Sequence, residues 1–75
     1  MKELVEVIAK ALVDHPEEVV VTETRDGRNV KISLHVAQSD MGKVIGRQGR
    51  IARAIRSVVK AASTRENVRV DVDID

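Results

Sequence analysis

Between Val30 and Val36 apolar side chains fall on every second residue, whereas between Ile51 and Ala62 they fall on every third or fourth. A strand turns successive side chains to opposite faces and a helix brings i, i+3 and i+4 together, so this change of period demands strands and helices in one layered fold. Val30, Ile32, Leu34 and Val36 share one strand face, opposite Lys31, Ser33 and His35; Val68, Val70, Val72 and Ile74 repeat the pattern against Arg69, Asp71 and Asp73. The run from Val19 to Thr24 is dense in β-branched residues, and Asp26-Gly27 after it marks a hairpin turn between antiparallel strands.

Helical spacing appears first in Leu4, Ile8, Ala11 and Leu12, widened by Val5, and Pro16 closes that helix near Asp14. Ser39 or Asp40 can cap a short helix holding Met41, Val44 and Ile45, which Gly46 interrupts; a longer helix starts near Gln48 or Gly49 and carries Ile51, Ile55, Val58, Val59 and Ala62. The order α-β-β-α-α-β predicts an α+β two-layer sandwich, a three-stranded sheet packed on one face by three helices. Residues 1–75 are read as a single domain, with a thin core and little room for an enclosed active site.

Cysteine, Phe, Tyr and Trp are all absent, which excludes disulfides, thiol catalysis, cysteine metal sites and base stacking on aromatic rings. No run approaches the roughly 18 apolar residues of a membrane span, so the expectation is a cytoplasmic protein with no membrane partner. His15 and His35 have no partners at metal-ligand spacing, the serines have no neighbouring base, and Asp71, Asp73 and Asp75 read as a solvated strand face. Neither an enzyme nor a cofactor or metal protein is expected.

The net charge of +1 conceals a strong segregation: Lys43, Arg47, Arg50, Arg53, Arg56 and Lys60 fall between Met41 and Lys60 with no acid, while the rest of the chain holds seven bases against twelve acids. Such a distribution concentrates attraction for a polyanion in one region. Within it Gly46 and Gly49 bracket Arg47 and Gln48. No strand precedes this pair, as a dinucleotide loop requires, and no Gly-Lys-Ser/Thr follows, as a P-loop requires; a tight helix-to-helix turn remains. Glycine there lets a ligand backbone approach the main chain, and the helix start with Arg47 and Arg50 beside it suits a phosphate.

The run Ile45-Gly46-Arg47-Gln48-Gly49-Arg50-Ile51 resembles the signature of K-homology (KH) RNA-binding domains. The element order resembles the prokaryotic, type II, form of that fold, and essentially the whole chain is similar to small stand-alone bacterial KH proteins of the KhpA family. The resemblance implies a single KH domain that grips about four nucleotides of single-stranded RNA in a narrow groove. The backbone clamp would comprise Gly46, Arg47, Gln48 and Gly49, flanked by Lys43 and Arg50. Val44, Ile45 and Ile51 would floor the groove, with Ile32 and Leu34 of the second strand as its opposing wall. Arg53, Arg56 and Lys60 extend the basic ridge as auxiliary contacts or steering charges.

Its implied role is that of an RNA chaperone or post-transcriptional regulator. The implied partners are single-stranded RNA, a second copy in a homodimer, and a larger bacterial RNA-binding protein with a KH domain. The competing reading is a protein–protein interaction module in which RNA binding is incidental.

Overall fold

The computed structural model describes residues 1–46 and 49–75; the side chains of Arg47 and Gln48, both assigned to the clamp from sequence, lie outside the described residues. Helix α1 (Lys2–Leu12) leads through a 3-10 turn (Pro16–Glu18) into β1 (Val20–Asp26), β2 (Asn29–His35), the helical stretch α2 (Gln38–Glu66) and β3 (Arg69–Ile74). Helical residues run through α2, and the joint expected within it is marked by Gly49, whose φ of 64° lies outside the right-handed helical region. An N-terminal and a C-terminal limb therefore meet there, which gives the order α-β-β-α-α-β.

The sheet order is β1-β2-β3, with β1 and β2 antiparallel and β2 and β3 parallel. Asp26 pairs with Asn29, leaving Gly27-Arg28 as a two-residue turn. Gly27 has φ 62° at its first position, the demand of a type II′ hairpin that glycine meets most cheaply. A parallel neighbour needs a long crossover, and α2 supplies it. The central strand is thus β2 and the edge beside α2 is β3, a consequence that side-chain alternation does not contain.

The core lies between the layers, built from Val5 and Ala9 of α1, Val21, Val30, Ile32 and Leu34 of the sheet, and Val44, Ala52, Ile55 and Val59 of α2. On α1 the buried face differs from the expected stripe: Val5 and Ala9 are buried, while Leu4 and Leu12 remain 37% and 45% exposed. The physical reason is width. Ala9 lets the helix backbone sit close to the other elements, and the contact then covers a narrower arc than the apolar residues span.

The start of α2 also departs from expectation. Ala37 is its N-cap and makes no side-chain cap bond. Asp40, expected as a cap, is 1% exposed and accepts hydrogen bonds from the backbone N–H groups of Asp14 and His15, each at 3.0 Å. Its carboxylate ties the turn after α1 to the first turn of α2. At the other end the helix runs past Ser63 and Thr64, whose hydroxyls bond back to the Lys60 carbonyl, and closes with Asn67 in the left-handed region. Val68 N–H reaches the Ser63 carbonyl and Asn67 N–H the Thr64 carbonyl, the paired bonds of a Schellman ending.

Candidate nucleic-acid interface

Gly46 and Gly49 both have open space where a Cβ would lie: apart from the adjoining chain, no heavy atom of the described residues is within 4 Å. For Gly49 the positive φ alone accounts for glycine. Gly46 has no such requirement, and glycine within a helix costs about 0.5–1 kcal/mol relative to alanine. Neither backbone conformation nor packing among the described residues demands it, and the main chain at position 46 is half-buried with room beside it.

From this joint a groove of about 410 Å³ opens between α2 and the end of β3, lined by Ile45, Gly49, Ala52, Arg53, Arg56 and Ile74. Ile45 is 56% exposed and gives the groove apolar surface at its helix side. Arg53 and Arg56 have no carboxylate within 4.0 Å among the described residues, so their guanidinium groups are not neutralised by ion pairing there. The lining combines aliphatic surface, glycine main chain and positive charge.

Several of the expected groove residues occupy other places. Val44, Ile32 and Leu34 are each 0% exposed, and having no free surface they support the groove from within the core. Ile32 and Leu34 belong to the central strand, so the wall beside the helix is β3, through Ile74, instead of β2. Ile51 lies on the other flank of the helix, where it lines a smaller cleft of about 200 Å³ with Leu12, Lys43 and Arg50.

Lys43 is engaged differently from the expected free flanking cation. Its Nζ donates to Asp14 Oδ2 at 2.6 Å, and this bond, followed by the ammonium charge, holds the Asp14 carboxyl below its ordinary value of 3.8. Any phosphate at Lys43 must displace that carboxylate. Lys60 lies farther along α2, facing Val70 and Val72 across the continuation of the groove.

Sequence reasoning missed Ile74 and Ala52 as groove residues. The alternation of Val70, Val72 and Ile74 signalled an apolar face, but only strand order could make that face the margin of a groove.

A mixed three-stranded sheet under helices, with a glycine-bracketed joint opening onto a cleft against the edge strand, defines the class of KH domains. More narrowly, the chain belongs to the family described as "KhpA/KhpB, KH domain", which it matches over residues 2–74. It is 60% identical over 74 residues to the RNA-binding protein KhpA of Clostridium perfringens and 58% identical to that of Clostridium acetobutylicum, covering 99% of both chains in each comparison. The KhpA of Halalkalibacterium halodurans is 60% identical, with 99% of this chain and 97% of the relative covered. No solved structure matches the chain significantly.

Proposed function

We propose that this protein binds single-stranded RNA at the Gly46–Gly49 joint, with the strand's backbone against the glycine main chain and its bases over the aliphatic surface of Ile45, Ala52 and Ile74. The observation that carries this reading is the joint itself: two glycines with room beside them, Gly49 lining a groove that bears arginines without carboxylate partners among the described residues. Relatives 60% identical over 74 residues are named RNA-binding proteins, which supports the ligand class. Phosphate contacts of this kind fix the position of a strand without reading its sequence, which suits a chaperone or post-transcriptional regulator acting on many transcripts in the cytoplasm.

One site of about four nucleotides has limited affinity, and linking two sites raises the effective affinity without new contacts. Exposed apolar side chains on α1, Leu4, Val7 and Leu12, offer surface for pairing with a second copy or with a larger KH-containing protein. The same surface is what favours the alternative, an interaction module that does not use RNA.

Changing Gly46 to Asp separates the two. It places a carboxylate where the clamp would hold a phosphate, at a position with room for the side chain. RNA affinity should fall at least about tenfold, the equivalent of 1.4 kcal/mol, while circular dichroism remains that of the folded protein. Unchanged RNA affinity in the folded variant would refute the clamp.

A further inference from the structure

The groove at the joint does not end at Arg56. A second section, about 470 Å³, continues between α2 and β3 past Arg56, Lys60 and Ser63 on the helix side and Val70 and Val72 on the strand side. A third, about 340 Å³, follows at the hairpin end, lined by Arg28, Asn29, Asn67, Val68 and Arg69. Arg56 is common to the first two sections, and Val68 and Arg69 to the last two, so the three adjoin in a row, called the trough below. From Gly49 to Ser63 the helix alone advances about 21 Å at 1.5 Å per residue, in a molecule whose long axis is 35 Å.

Charge along this path is one-sided. Arg53, Arg56, Lys60, Arg69 and Arg28 follow one another, none within 4.0 Å of a carboxylate among the described residues. Outside the trough Lys10, Lys31 and Lys43 are each paired with an acid, while Lys2, Arg25, Arg50 and Arg65 have no carboxylate within 4.0 Å among the described residues, so what sets the trough apart is the succession of its cations. Arg28 donates from Nε to the Asn67 carbonyl at 3.3 Å, which anchors its guanidinium at the end of the trough and leaves the terminal nitrogens free of carboxylates. Asp71 is the sole acid among the lining residues.

We infer that the RNA path continues from the joint along the whole trough to an end subsite at Arg28 and Arg69, which takes a phosphate of the strand beyond the nucleotides held at the joint. This inference rests on the RNA reading above. Arg28 and Arg69 lie outside the basic segment 41–60, Arg28 in the β1–β2 turn and Arg69 at the start of β3. Only the parallel pairing of β2 with β3, with Asn29 opposite Arg69, brings them together.

The test uses RNA of randomised sequence, four and ten nucleotides long, titrated against the wild-type protein and against an Arg28→Ala/Arg69→Ala variant. A longer strand offers any short site more registers, so the comparison between proteins decides. The variant should bind the ten-nucleotide RNA about fivefold more weakly and the four-nucleotide RNA equally well. Its plot of log K against log salt for the longer RNA should be shallower by about 1.4, from two phosphate contacts at about 0.7 each. Asp71→Asn should strengthen binding of the longer RNA. The extension is overturned if the double variant matches wild type on ten nucleotides, or weakens both lengths alike. Failure of the wild-type protein to bind either RNA overturns the underlying function instead.

Discussion

Gly46 and Gly49 look equivalent in the sequence, yet the structure gives them different reasons to be glycine. Gly49 sits at φ 64°, where an L side chain is strained, while Gly46 has no positive φ and, among the described residues, nothing that an added Cβ would meet. Gly49→Ala should therefore destabilise the fold by about 1–2 kcal/mol, the cost of forcing a Cβ into the left-handed region. Gly46→Ala should stabilise it by up to about 1 kcal/mol, by removing a flexible residue from a helix. Urea denaturation midpoints moving in the same direction for both variants would contradict this assignment. The pair was legible as a motif, since the glycines stand inside a stretch of bases without acids. Their inequality was not, because a dihedral angle is a property of the folded chain.

At the scale of elements, the first turn of α2 is held to the turn after α1 through one buried side chain. Asp40 receives two backbone N–H groups there, and replacing it with alanine leaves both donors without their partner. Asp40→Ala should cost about 1–3 kcal/mol in urea denaturation. An effect near zero would mean that water replaces the carboxylate fully. Beside it the exposed Lys43–Asp14 pair links the same two elements and gives a pH dependence of definite sign. The Asp14 pKa is lowered in the folded protein, chiefly by the hydrogen bond from Lys43 and then by its charge, so the pair favours folding above the ordinary carboxyl value of 3.8. That contribution is lost as pH falls through the lowered folded value. In a Lys43→Met variant the Asp14 carboxyl resonance should titrate at higher pH than in wild type, moving toward 3.8. An unmoved titration would show that Lys43 does not hold the carboxylate in solution. Sequence spacing could not reveal either link, since Asp40 and Asp14 are 26 residues apart and Asp40 reads equally well as a helix cap.

Across the whole molecule, periodicity specified which residues are apolar on each element and charge patterning specified where the cations gather. The α-β-β-α-α-β order, the hairpin at Gly27 and the basic glycine joint follow from local chemistry: the two side-chain periods, the conformational freedom of glycine, and the interval from 41 to 60 without an acid. Tertiary structure decided the rest. It placed β2 at the centre of the sheet, which buried Ile32 and Leu34 and made Ile74 the groove wall; it turned Ile51 and Lys43 toward α1; and it carried Arg28 to Arg69. The physical reason is that alternation states which face of a strand is apolar but not which neighbour the strand pairs with. Helical spacing likewise gives the width of an apolar stripe, whereas the arc that is buried depends on how closely another element approaches.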